Sequence, residues 1–273
     1  LLYHREPLGS YGVGSGSVSA RVLGKSILGL DSFGRHMPSQ REVGFTLTFL
    51  GIIGAVATLF LGVYWAPLVD PGSWNAPEAY RILYWHVPFA WSSFLAFSML
   101  FVGAISWYRN RSEWGWRWVS TGSDLGLLFG LGVVTSGPIW GSAEWGVPWD
   151  WGDLRLNTFA LLTAVAMFLV LSKKSQPDGQ DTRDTLAAIG LFGFALVPIT
   201  AVATTWYQER HPGVVIVNTE ESGLDPQIFS VLVIGFVSFL ILFIGLAILT
   251  DLVQRMEYEL EQRLREIDEE VAS

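Results

Sequence analysis

Six long apolar runs limit what this chain can fold into more than any other feature. They fall at Val43–Trp65, Ile82–Ser106, Val119–Ile139, Leu154–Leu171, Leu186–Thr205 and Ile228–Leu249. Such runs can cross roughly 30 Å of hydrocarbon, and none alternates as a barrel strand would. Lipid offers backbone groups no partners, so each run must satisfy its own hydrogen bonds as a helix. Only 15% of the 273 residues are charged, against about 25% in a soluble domain. The expected fold is all-α: a polytopic membrane protein with a bundle of six transmembrane helices.

The connections set the expected orientation. Arg5, Arg21, Lys25, Arg35 and Arg41 precede the first run. Arg109, Arg111 and Arg117 lie between the second and third, and Lys173, Lys174 and Arg183 between the fourth and fifth. The three opposite connections hold one cation each: Arg81, Arg155 and Arg210. Cytoplasmic loops carry the excess of Lys and Arg. Both termini are therefore expected in the cytoplasm of a multi-pass plasma-membrane protein, with residues 66–81, 139–155 and 206–227 facing outward.

Three regions are expected: a flexible cytoplasmic tail over residues 1–40, a membrane domain over 41–250 and a charged cytoplasmic helix over 251–273. Met37 precedes the first run closely enough to be read as an alternative start, and Val22–Leu30 is too interrupted for a signal peptide. Within the last region, apolar residues from Leu252 to Val271 recur at helical steps. This reads either as a solvated or membrane-surface helix or as a docking helix for a cytoplasmic partner. The chain has no cysteine, which excludes disulfides, thiolate metal sites and thiol catalysis. Its formal charge of −8 gives no support to nucleic-acid binding.

Nine of the 13 tryptophans lie on or near the expected outward side. An interfacial aromatic belt would be shared between leaflets, yet Trp140, Trp145, Trp149 and Trp151 fall within one loop between the third and fourth spans. That loop is expected to form a flat aromatic shelf suited to a large planar ligand. Gly141 and Gly146 would let the backbone approach the ligand. His86 begins the second span and His211 follows the fifth, which puts both imidazoles on the side of the loop. Two neutral imidazoles beside such a shelf suggest axial ligation of haem iron. Arg81, Arg155 and Arg210 would pair with the propionates, or with acids such as Glu144, Asp153 and Glu209. Asp153 would touch the ligand, orient the loop through Arg155, or cap the fourth helix.

Three segments carry a resemblance: Tyr80-Arg-Ile-Leu-Tyr-Trp-His86-Val-Pro, the loop from Trp140 to Arg155, and Trp206-Tyr-Gln-Glu-Arg-His211-Pro. Over residues 40–250 the chain resembles the CcmC (haem exporter protein C) family of cytochrome c maturation, part of the tryptophan-rich-loop group with CcmF and CcsA. The resemblance implies haem b as cargo, His86 and His211 as iron ligands, and Trp140, Trp145, Trp149, Trp151 and Asp153 as the loop. It implies delivery to the haem chaperone CcmE, and association with the ABC-type subunits CcmA and CcmB and often with CcmD. The chain itself would be no enzyme, its ATPase being another subunit. Competing readings are a haem lyase of the CcsA or CcmF kind and a haem permease subunit. One departure stands out: Gly152 separates Trp151 from Asp153, so either the loop bulges or Asp150 shares the role of the aspartate.

Overall fold

The computed structural model describes residues 38–69, 72, 74–206 and 225–272. Of the tail expected over residues 1–40, residues 1–37 fall outside the described residues, as do His211 and Arg210, while residues 38–40 are helical. Among the described residues seven α-helices follow in order: α1 (Pro38–Tyr64), α2 (Leu83–Asn110), α3 (Glu113–Glu144), α4 (Leu154–Ser175), α5 (Gln180–Phe194), α6 (Leu196–Trp206) and α7 (Pro226–Ala272). A 3-10 turn, Ala79–Ile82, leads into α2. The described residues contain no strand, and six helical stretches are long and apolar enough to cross a membrane. All-α, six-span architecture is therefore observed as expected.

The fifth span is α5 and α6 together, broken after Phe194. Pro198 has no N–H to give the Phe194 carbonyl four residues back, and its ring crowds that oxygen. Elsewhere the helices outrun their apolar stretches. α3 starts at Glu113, six residues before Val119, because the Ser112 side chain accepts from Gly115 N at 3.2 Å and so caps the helix. It stops at Glu144, where Gly146 takes φ +75°, a conformation only glycine adopts at no steric cost.

Helices in lipid gain nothing from hiding apolar surface from water, so close packing and polar contacts hold them together. The most deeply buried positions include Ala96, Phe97, Leu100, Ala104, Leu162 and Ala166, all 0% exposed. Large apolar side chains such as Phe49 and Leu171 lie outward instead, where they would meet acyl chains. α1 and α7 approach through Gly51: a Cβ built there would lie 2.5 Å from the Leu242 backbone. Backbone cannot move aside as a side-chain tip can, so Gly51→Ala is expected to cost about 1–3 kcal/mol by overpacking. The check is the thermal unfolding midpoint in detergent, and an unchanged midpoint would show that the two helices part freely.

One end of the bundle gathers the cation-rich connections. Arg183, packed against the rings of both Trp107 and Trp116, donates from Nη1 to Glu113 at 2.8 Å and from Nε to Asp178 at 2.7 Å. Arg111 pairs with Asp184, Lys173 with Asp124 at 2.9 Å, and Arg117 with Asp251 at 2.9 Å. Asp124 thus serves packing at the end remote from the tryptophan loop.

Hydrogen bonds from Arg183 hold the Asp178 carboxyl below its ordinary range, against an opposing effect of partial burial. A carboxyl depressed in the folded state stabilises fully above its unfolded value of about 3.9 and loses that contribution as pH falls through the folded value. Asp178→Asn is therefore expected to melt lower than the parent at neutral pH, with the gap closing as pH falls below about 4. Melting midpoints across pH 3–7 test this, and a gap that is constant with pH would show that Asp178 does not act through its charge.

Candidate functional site

The opposite end carries the tryptophan loop, and there α2, α3 and α4 converge. His86 lies in the first turn of α2, with its ring half-buried against the last turns of α3. Its Nδ1 is 2.8 Å from Ser136 Oγ, and its Cε1 faces Gly137, which is also close to Leu156 at the start of α4. The Ser136 hydroxyl has one proton, and it points at the Gly132 carbonyl 2.6 Å away. Toward His86, Ser136 can then only accept. This contact favours the tautomer with the proton on Nδ1 and the lone pair on Nε2.

The loop begins where α3 ends. Trp140 is 8% exposed and packs edge-on against Trp145, with ring centroids 4.9 Å apart. Trp74, from the connection between α1 and α2, adds a third ring 6.3 Å from Trp140. Trp149 and Trp151 form a second pair with centroids 5.8 Å apart. Their neighbours tilt these rings by 49–63°, so the expected flat shelf is not what forms. The ring quadrupole favours tilted and edge-on contacts over coplanar ones, and the result is an aromatic ridge, buried at Trp140 and 84% exposed at Trp151. Gly146 serves the backbone turn, and Gly141 gives room to Trp145, whose ring lies 3.2 Å from where a Cβ would sit.

Asp153 is the N-cap of α4: its Oδ1 accepts from Leu156 N at 2.9 Å. The extra residue Gly152 is absorbed in a tight turn in which Asp150 Oδ1 accepts from Gly152 N at 2.8 Å and Asp150 O from Asp153 N at 3.1 Å. Asp150 and Asp153 thus divide the work, one shaping the turn and the other starting the helix. Asn157, one turn into α4, binds the loop together. Its Nδ2 donates to the carbonyls of Trp151 at 2.9 Å and Asp153 at 2.7 Å, and its Oδ1 accepts from Trp149 Nε1 at 3.3 Å.

The expected cations behave differently from one another. Arg81 donates to the Gly62 and Ala66 carbonyls at the end of α1, the latter at 3.2 Å, and to Glu78 at 2.8 Å. That is the work of a helix C-cap. Arg155 extends toward Ala201 O of α6 at 3.5 Å, which ties the fifth span to the loop. Glu144 serves the connection between α1 and α2. It is 7% exposed and accepts from Asn75 N at 3.1 Å and Ala76 N at 2.8 Å.

Sequence reasoning missed Ser136, Asn157 and the role of Glu144. Asn157 had a faint signal, as an amide in the first turn of an apolar helix just after a cap.

Six helices long and apolar enough to cross a membrane, with an aromatic loop and a buried polar scaffold at one end, define a polytopic helical membrane protein with a candidate site at that end. The sequence profile described as "Heme exporter protein C" matches residues 36–266, and the chain belongs to that haem-handling family. Its relatives include a Marchantia polymorpha protein named "Putative cytochrome c biosynthesis ccmC-like mitochondrial protein", 28% identical over 55% of this chain and 63% of its own length. The proteins named "Heme exporter protein C" of Bradyrhizobium diazoefficiens and Escherichia coli K12 are 23% and 26% identical. Each match covers 70% of this chain, and 72% and 76% of the respective relative. The match to the first of the three takes in less than two thirds of that relative.

Proposed function

We propose that this protein holds haem b at the loop end of its bundle during cytochrome c biogenesis and passes it to the chaperone CcmE. His86 and His211 are the axial ligands, and the ridge of Trp140, Trp145, Trp149 and Trp151 covers part of the macrocycle. Arg155 and Arg210 are the propionate partners, while Arg81 holds the end of α1. CcmA and CcmB, with CcmD, complete an ABC-type assembly whose ATPase lies outside this chain. The site faces outward, and both termini are cytoplasmic.

One observation supports this reading above the others: the imidazole beside the tryptophan loop has its Nδ1 2.8 Å from the Ser136 hydroxyl, a partner that favours the tautomer ligation requires. A histidine that ligates through Nε2 needs Nδ1 protonated and anchored, and such anchors typically change metal affinity 10–100-fold when removed. The Gly132 carbonyl, Ser136 and His86 form that relay. Family membership supports haem as the cargo. Two imidazoles saturate the iron and leave no open position for oxygen, which suits a carrier.

The test is a haem titration of purified protein followed by its absorption spectrum. The parent is expected to give a low-spin bis-imidazole spectrum. Ser136→Ala is expected to keep that spectrum but bind about 10–100-fold more weakly, and Ser136→Thr to recover most of the loss. A parent that gives no low-spin spectrum would overturn the holding site; equal affinity in Ser136→Ala would overturn the relay.

A further inference from the structure

The protruding end of α7 carries an apolar stripe that plays no part in the loop site. α7 has 47 residues and so is about 70 Å long, more than twice the roughly 30 Å of hydrocarbon. Its last turns therefore stand outside the bilayer. Every residue from Leu260 to Val271 is exposed, with Leu260, Leu264, Ile267 and Val271 at 59%, 52%, 51% and 82%. The helix leaves the bundle in a fixed rotation, since Asp251 accepts from Arg117 Nε at 2.9 Å and Leu252 is 5% exposed. At about 100° per residue, the four apolar positions cluster about 90° around the helix from Leu252. The stripe is aimed sideways, not back over the bundle.

We propose that this stripe is the seam of a parallel two-stranded coiled coil between two copies of this chain. The steps of four, three and four from Leu260 to Val271 are those of a heptad seam, with Leu260 and Ile267 at d and Leu264 and Val271 at a. Arg263 then falls at g and Asp268 at e. In a parallel pair the g residue of one helix faces the e residue of the next heptad on the other. Arg263 of each copy therefore meets Asp268 of the second copy, twice over by symmetry. Two copies inserted in the same direction must send their tails out in parallel, so the membrane enforces the arrangement in which these charges attract. Glu257 holds the a position before Leu260, where two like charges would meet, so the seam starts at Leu260. Between Glu257 and Glu270 the helix carries seven acidic side chains and two arginines, a balance that disfavours an anionic lipid surface, which recruits Lys and Arg.

The test is disulfide cross-linking of the full chain in membrane vesicles, made simple by the absence of native cysteine. Leu260→Cys and Ile267→Cys, at d, are expected to give covalent dimers on mild oxidation, and Gln262→Cys, on the far side, is not. In the Ile267→Cys background, Arg263→Glu is expected to lower the dimer fraction about threefold, and adding Asp268→Arg to restore it. No dimer at either d position, or equal dimer from Gln262→Cys, would overturn the proposal. So would a loss on Arg263→Glu that Asp268→Arg does not restore.

Discussion

His86→Ala is expected to purify without low-spin haem and to fail to acquire it on titration, while keeping the helix content and melting behaviour of the parent. The half-buried ring touches Ser136 and Gly137 rather than filling a closed core, so its removal leaves the bundle packing in place. An iron ligand makes a direct coordination bond, and its loss is expected to exceed the 10–100-fold that an anchoring group contributes. His211→Ala should show the same loss, because either substitution leaves the iron with one imidazole. Added free imidazole is expected to restore the low-spin spectrum in both variants by filling the vacated position. Unchanged low-spin ligation in both would end the assignment of these two residues as ligands.

Glu144→Ala is expected to loosen the connection between α1 and α2 at the loop end. The carboxylate is 7% exposed and accepts from two consecutive backbone N–H groups, those of Asn75 and Ala76, while its own carbonyl accepts from Asn75 Nδ2 at 3.0 Å. An ionised acceptor makes such bonds short and strong. Removing it orphans two amides at about 1–3 kcal/mol each, or about 2–6 kcal/mol together if water does not reach them. Glu144→Gln keeps one acceptor oxygen and should recover about half of the loss. Trp74 stands in this connection and packs on Trp140, so the aromatic ridge loses a neighbour when it detaches. Amide hydrogen exchange over residues 74–80 is the measurement. Protection equal to that of the parent would show that the ring contacts alone hold the segment.

These two sites differ in how far they could be read from the chain. His86 stood out because an ionisable side chain at the edge of an apolar run is a functional candidate by default, and the tryptophan cluster supplied its context. Asp153 could be read as a helix cap because capping is local: its acceptor serves an amide three residues on. Glu144 was seen only as a nearby acid for an arginine. Its true partners are 68 and 69 residues away, in a connection whose path no local pattern reveals. Arg81 was expected at a propionate for a similar reason, since the carbonyls it meets lie 15 and 19 residues back.

By itself the sequence determined that six segments become helices and where the aromatic loop falls among them, because a chain in lipid has no other way to satisfy its backbone. Each span decides its own conformation, and hydropathy reads each one separately. Only the tertiary structure decided that His86 meets Ser136, that Asn157 binds the loop together, and that the tryptophans form a tilted ridge. Those outcomes depend on which helix faces lie side by side, and a hydrogen bond or ring contact between helices exists only once they do.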